Sequence, residues 1–255
     1  MTSANNGRFN AEAAAWDSNP GVVLASDLAH KALLERLPAP DSGLDVLEIG
    51  CGTGILTLPL AASVRSITAV DAAEGMIAAL QAKLSAESCA TKNVHAVCAL
   101  LEDPDDERIR VDPAAAAPSR ADTADTAAPR RFDLVVSHLV LHHIPDILAV
   151  LQTMFGCLKP GGQVMLTDFE DFGTEARRFH PESKMDGVER HGIKRADMEA
   201  LLLRAGFTDV SVETAFEMDK AVETEPGAGD MDATMTFPFL ICSGKKPGGA
   251  KRQAR

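Results

Sequence analysis

Residues 46–54 read VLEIGCGTG, and this stretch decides the fold. Val46, Leu47 and Ile49 around Glu48 have the length and composition of a strand. Gly50, Gly52 and Gly54 follow at alternate positions, with Cys51 and Thr53 between them, and residues 55–62 read as the first turns of a helix. A strand that feeds a glycine-rich turn and a helix N-terminus builds a ligand crevice at the edge of an open parallel sheet. Glycine suits such a turn because the backbone must bend sharply and lie close to its ligand, where a Cβ would intrude.

The spacing separates two kinds of ligand. A dinucleotide fingerprint is G-x-G-x-x-G around a pyrophosphate, whereas this chain carries E-x-G-x-G-x-G with Glu48 two residues before the first glycine. A carboxylate there repels a phosphate and suits a cationic group. The run resembles the glycine-rich motif of class I S-adenosylmethionine-dependent methyltransferases, whose ligand carries an amino group and a sulfonium and no phosphate. The alternative is a glycine turn without a ligand, and an acid plus three glycines behind a strand argues against it.

At 255 residues the chain has room for one α/β domain with a full core, and no second periodic block is large enough to stand alone. The reading is one domain over residues 1–245, with 246–255 a flexible tail. No apolar run approaches the ~20 residues of a membrane helix, and the start lacks the charged head and apolar stretch of a secretory signal. Neither membrane attachment nor export is expected. The five cysteines at 51, 89, 98, 157 and 242 form no C-x-x-C, so neither a disulfide scaffold nor a zinc cluster is expected and a cytoplasmic location is. A formal net charge of −12 argues against a nucleic-acid footprint, which needs clustered Lys and Arg. Oligomeric state leaves no signal.

Before the glycine stretch, residues 10–16 form a short helix that Asn19 and Pro20 stop, and residues 22–37 carry a helical apolar stripe that ends at 38–43. After it, residues 66–71 (SITAVD) read as a second strand. Asp71 lies 21 residues after Gly50, where an acid reaches two ribose hydroxyls; it equally caps the helix over 72–84. Residues 94–101 are a third strand. Residues 103–131 are rich in Ala, Asp, Pro and Thr with no aromatic residue and no hydrophobic period, which predicts a disordered surface insertion. Residues 132–141 (FDLVVSHLVL) are a continuous apolar run of the kind buried on both faces. The loop HHIPD, a helix over 147–158, the turn KPGG and a strand over 163–168 complete the next unit. Residues 169–195 are polar yet hold Phe169, Phe172, Phe179, His180 and His191, as a long functional loop does. A helix over 196–205 and strands over 207–216 and 235–243 close the chain.

The combination AAAWD, LEIGCGTG, VLHHIPD and LKPGG resembles the small-molecule methyltransferases of the UbiE or type 11 kind. That resemblance implies a Rossmann-like, doubly wound α/β sheet of seven strands, mostly parallel with the last one antiparallel. It implies S-adenosyl-L-methionine as cofactor, and a methyl group passed to O, N or C of a small molecule. It implies that Glu48, Gly50, Cys51, Gly52 and Gly54 hold the aminoacyl end and Asp71 the ribose. Ala72 and Met76 lie beside the adenine, and Glu102 takes the place of an adenine-binding acid delayed by residues 99–101. Ser137 ends the fourth strand at the crevice. Residues 1–40 become a helical lid carrying Trp16, which composition alone makes a core plug, and residues 169–195 become a substrate-side loop.

Such chemistry requires alignment and exclusion of water more than a fixed triad. His138, His142, His180 and His191 are the candidate bases, because imidazole titrates near neutrality, and His142 and His143 read equally as packing residues. His138 and His142 are four residues apart, but a strand-to-loop segment puts them on no common helical face, so no metal is expected. Two rivals stand beside this reading: a methyltransferase for protein or RNA, and a non-catalytic relic of the fold used for interactions. The intact glycines with Glu48 and Asp71 argue against the relic.

Overall fold

The strand that begins the glycine stretch, β1 (Asp45–Ile49), is buried along its whole length. A strand buried on both faces needs a neighbour on each edge and a helix layer on each side, and β1 has all of them. The structure is a computed structural model that describes residues 3–37, 43–114 and 129–248. Its elements in order are α1 (Ser3–Trp16), α2 (Pro20–Leu34), β1, α3 (Thr57–Ala61), β2 (Ser66–Asp71), α4 (Glu74–Ser85), β3 (Val94–Cys98), β4 (Phe132–His138), α5 (Ile147–Cys157), β5 (Leu158–Phe169), α6 (Arg195–Ala205), β6 (Thr208–Val222) and β7 (Ala233–Lys245). One seven-stranded sheet runs in the order β3-β2-β1-β4-β5-β7-β6. β1 to β5 are mutually parallel, and β7 runs antiparallel between β5 and β6. The expected sheet is therefore the observed one.

Alternate residues of the central strands feed two cores. Leu47 and Val135 join α5 and α6 side chains such as Leu151, Met154 and Leu202 on one face. Val46, Leu134 and Val136 join Leu33, Leu60, Ile77 and Leu80 from α2, α3 and α4 on the other. The chain order reverses between β1 and β4, so the sheet opens a crevice at the C-terminal ends of these two strands. At the opposite end, Arg65, Arg130 and Lys159 all pair with Asp45, the two arginines also with Asp112 and the lysine also with Asp133.

Several boundaries moved for physical reasons. The stop at Asn19 and Pro20 ends α1 and also starts α2: the Asn19 side chain accepts from the Gly21 and Val22 amides, and Pro20 occupies the first turn, where its missing N–H costs nothing. β4 ends at His138, three residues before the apolar run does, because Leu139 turns the chain at φ +56°. β3 ends at Cys98 because residues 99–102 leave the sheet to line the crevice. β6 and β7 are longer than their alternation suggests; they form a hairpin whose register shifts between Thr214 and Phe216, which breaks the period.

Two stretches read as unstructured differ more. In residues 103–114, Ile109 is 1 % exposed within the α5/α6 core, Pro104 packs on Gly156, and Asp105 and Asp112 pair with Arg131 and Arg65. Ile109 and Val111 among charges carry no periodic signal, yet Ile109 plugs the core while Val111 stays exposed; residues 115–128 lie outside the described residues. At the tail, Lys246 is held by backbone bonds to Gly161 and Gly162, and its ammonium donates to the Phe155 and Leu158 carbonyls. Lys246 is therefore part of the fold, and residues 249–255 are outside the described residues, as is the helix stop at 38–42. Ile109→Ala should destabilise the protein by about 2–5 kcal/mol, the range for deleting a buried aliphatic side chain. Urea denaturation checks this; a change below about 0.5 kcal/mol would mean that the segment does not pack.

Candidate functional site

The glycine turn is built by steric necessity. Gly50 and Gly54 have φ of +77° and +86°, and a Cβ on them would lie 2.2 Å from Val140 Cγ2 and 2.5 Å from Leu80 Cδ1. Gly50 lets the loop pass under Val140, and Gly54 lets α4 pack against it. Gly54 thus serves packing and does not line the crevice, as the motif reading had it do. Gly52 differs: a Cβ there meets only Trp16 Nε1, 3.9 Å away, so its backbone faces open space.

Asp71 ends β2 and holds this turn. Its Oδ2 accepts from the Gly52 amide at 2.9 Å and its Oδ1 from the Ala73 amide at 2.8 Å. Each carboxylate oxygen keeps further acceptor capacity toward the crevice. Burial raises its pKa, which the backbone donors partly offset. Glu48 is 2 % exposed, and its Oε2 is buried without a partner. Burial pushes its pKa up to about 8, with the Asp71 charge adding to the rise and the Thr57 hydroxyl opposing it. Near neutral pH Glu48 is therefore largely protonated, and a nearby cation would ionise it.

The crevice has two arms that share Gly50, Asp71 and Val140. One, with about 680 Å³ of empty space, is lined by Phe9, Trp16, Glu48, Cys51, Gly52, Met76 and His138 among others. The second, about 940 Å³, is lined by Ala72, Ala99, Leu100, Glu102, Ile144 and Val150 among others. Cys51, Gly52, Ala72, Met76 and Glu102 thus line the crevice. Burial keeps the Cys51 thiol well above its usual pKa. Ser137 does not reach it: its hydroxyl is buried and donates to the Ile49 carbonyl at 2.8 Å, tying β4 to β1.

Helix α1 roofs the first arm. Trp16 and Phe9 meet edge to face at 5.8 Å; the composition reading of Trp16 as a plug did not anticipate Phe9. Asp17 makes the joint. It accepts from the Thr53 hydroxyl in the glycine turn and pairs with Lys83 of α4, while Lys83 also donates to the Thr53 carbonyl at 2.7 Å. Asn10 Oδ1 accepts from the Gly75 amide at 2.8 Å. Arg8 donates to the Lys184 and Asp186 carbonyls, which connects the roof to the 169–195 loop.

The four candidate histidines separate. His138 lines the crevice, with Nδ1 2.8 Å from Thr167 Oγ1, and burial lowers its pKa to about 4. His142 is 2 % exposed and clasped by Asp168, with Nδ1 2.8 and 3.0 Å from the two carboxylate oxygens. His180 packs against His142 and His143. His143, not among the four candidate bases, lines the crevice and turns Nδ1 to the Gly187 carbonyl at 2.9 Å; burial lowers its pKa to about 3. His191 is not brought there; it faces a surface groove with Arg177, Arg190 and Lys194.

Comparison with known proteins agrees with this architecture. A family of methyltransferase domains matches residues 24–212, which is most of the chain. The chain belongs to this family, which has the class I methyltransferase fold and uses S-adenosylmethionine. It is 31% identical over 137 residues to a ubiquinone biosynthesis O-methyltransferase of Paramagnetospirillum magneticum, covering 54% of this chain and 45% of that protein. It is 33% identical over 129 residues to one of Dinoroseobacter shibae, covering 50% and 42%. The chain thus spans less than half the length of these relatives. Among solved structures, the N-methyltransferase NodS of Bradyrhizobium japonicum, in complex with S-adenosylhomocysteine, superposes with a TM-score of 0.55 at 16% identity, over 96% of this chain and all of that one. Phosphoethanolamine N-methyltransferase 2 of Haemonchus contortus, in complex with S-adenosylmethionine, gives 0.59 at 17% over 94% and 60%. At these identities the likeness is one of fold.

Two outcomes are expected from this geometry. Asp17→Ala should loosen the roof without unfolding the sheet: losing a partly exposed ion pair of ~1 kcal/mol makes local opening about fivefold more frequent. Hydrogen exchange over residues 9–16 should quicken while β1 and β4 stay protected; unchanged exchange would show that Asp17 is no latch. For Glu48, the folded pKa lies above the ordinary value, so its contribution to stability is complete below pH ~4.5 and is lost as pH rises through about 8. In ligand-free protein Glu48→Gln should flatten the fall in melting temperature between pH 5 and 8, and a parallel fall in both proteins would refute the assignment.

Proposed function

We propose that this chain is an S-adenosylmethionine-dependent methyltransferase acting on an O, N or C nucleophile of a small molecule. The observation that carries the reading is the buried carboxyl of Glu48, whose Oε2 has no partner, beside a glycine turn whose open backbone faces the crevice. An acid there fits an ammonium and rejects a pyrophosphate. S-adenosylmethionine supplies, when bound, a methyl group on a sulfonium that a nucleophile displaces in line.

The chain's own part is binding, orientation and exclusion of water. Glu48 and the Gly50–Gly52 backbone hold the aminoacyl end. Asp71 accepts from the ribose hydroxyls with the oxygen capacity its two backbone donors leave free. Met76 and Ala72 flank the adenine side, and Glu102, exposed at the rim of the second arm, accepts from the adenine amino group. Phe9 and Trp16 cover the first arm and present aromatic faces to a cation. The low pKa of His138 makes it a weak proton acceptor, which favours a nucleophile that reaches the crevice already deprotonated or sheds its proton to water.

The roof that Phe9 and Trp16 place over the first arm supports a small substrate. The relatives' names point the same way, being those of O- and N-methyltransferases of small molecules. Among the described residues no helix is long and apolar enough to cross a membrane. All five cysteines are free, in keeping with a reducing cytoplasm.

Titration with S-adenosylmethionine at pH 7, in buffers of different ionisation enthalpy, should show binding with release of close to one proton, because the incoming ammonium ionises Glu48. The release should vanish in Glu48→Gln. Labelled methyl transfer into a metabolite extract should place the label on small molecules; label confined to the protein fraction would replace the substrate class, and no binding at all would leave the interaction-module reading.

A further inference from the structure

Three imidazoles meet beside the crevice where no spacing in the sequence brings them together. His142 and His143 come from the 3-10 turn after β4 (Leu141–His143), and His180 follows the 3-10 turn Thr174–Phe179. One ring nitrogen of each lies within 4.8 Å of the other two. Ring centroids are 3.9 Å apart for His142–His143, 5.1 Å for His142–His180 and 5.9 Å for His143–His180.

The surrounding hydrogen bonds fix what these rings offer. His142 Nδ1 faces the Asp168 carboxylate and His143 Nδ1 faces the Gly187 carbonyl, and neither partner can donate. In the neutral rings both Nδ1 atoms therefore carry the proton, and both Nε2 atoms carry a lone pair. His142 Nε2 is buried with no partner, as is His180 Nδ1. A buried polar nitrogen without a partner is costly, and a neutral His180 has one N–H to give, so the three rings cannot satisfy all their free nitrogens among themselves. Burial, together with the neighbouring rings, keeps His143 and His180 uncharged, the form that ligates.

We propose that His142, His143 and His180 together bind a divalent transition-metal ion, with Asp168 orienting His142 from behind. The carboxylate–histidine pair is the usual support of a metal-bound imidazole, fixing its tautomer and raising its basicity. Three nitrogen ligands select zinc-like ions over magnesium or calcium, which prefer oxygen. Three protein ligands also leave a position for water or another oxygen donor. Nitrogen ligands at about 2.0–2.1 Å sit closer to one another than 4.8 Å, so the rings close inward by side-chain rotation; His180, half-buried on its loop, is the one free to move. Arg8 and Lys220 lie near enough to His180 to oppose a cation. The Asp168 carboxylate, 1 % exposed against His142, supplies the compensating charge.

Binding is tested on the untagged full chain, stripped with a chelator and titrated with Zn²⁺ against a chromophoric competitor, then with Co²⁺ followed in the visible. The expected result is one ion per chain, with cobalt ligand-field bands and no sulfur charge-transfer band. His180→Ala should bind at least tenfold more weakly with its circular dichroism unchanged. Asp168→Asn should lose about 10–100-fold, and His191→Ala, outside the cluster, should bind as the parent does. Should the buried variants not fold, the Co²⁺ protein itself reports by NMR, through hyperfine-shifted, exchangeable Nδ1 protons from His142 and His143. The absence of stoichiometric binding, equal affinity in His180→Ala, or a cobalt–thiolate band would each overturn the site. None of these readouts requires S-adenosylmethionine, so the site can fail while the proposed activity stands, and the reverse.

Discussion

The Asp71 carboxylate, bonded to the amides of Gly52 and Ala73, is the joint on which the crevice depends. It sits at the end of β2, and through those two bonds it sets the path of the glycine turn after β1 and the start of α4. The turn has no freedom elsewhere: Val140 closes on Gly50 and Leu80 on Gly54. Only at Gly52 does backbone face open space, and that is where Asp71 holds it. An acid often read as a ligand contact is therefore first a structural one. The two roles are compatible because a carboxylate has more acceptor sites than two amides use.

The same placement sets the electrostatics. Glu48 and Asp71 are both buried acids, and each raises the cost of ionising the other. Asp71 has two amides to hold its charge, while Glu48 Oε2 has no partner. The proton therefore stays on Glu48. The fold thus places a carboxyl held by two amides beside a buried carboxyl with an unpartnered oxygen, at the ends of adjacent strands. A cation entering the crevice favours the ionised form of Glu48, whereas an anion would meet both acids. Ligand sign is decided by this pair before any shape complementarity acts.

Local signals in the chain were legible and distant ones were not. The strand–glycine–helix order, the apolar runs of β1, β2 and β4, and the acid after β2 could be read because each is set by adjacent residues. The place of Ile109 could not, since Ile109 and Val111 alone in a charged stretch set no period, and the burial of Ile109 depends on α5 and α6 packing over it. Ser137 looked like a crevice residue by position, but strand pleating turns its hydroxyl to Ile49. The histidine cluster was invisible for a related reason: His180 is brought to His142 by the stacking of Phe179 on Phe169 at 4.0 Å, a contact between β5 and its following loop that no sequence spacing encodes. His191, in the same loop, is carried away from the crevice.

The roof follows from these constraints. Helix α1 touches the glycine turn through Asp17, the first turn of α4 through Asn10 and the 169–195 loop through Arg8. Every one of these partners belongs to an element bordering the crevice. The polar contacts are only partly buried and contribute little individually, and beside them stands a small apolar cluster of Ala13, Ala73 and Met76 with Phe9 and Trp16, whereas the sheet beneath is held by two larger apolar cores. The roof can then open at a small fraction of the cost of unfolding. Phe9 lies edge-on to His143 at 5.3 Å, so the aromatic face over the first arm and the imidazole cluster beside it share one boundary. Whatever orders the glycine turn or draws the imidazoles together acts on the same helix, and closure of α1 is the one motion that reports on both.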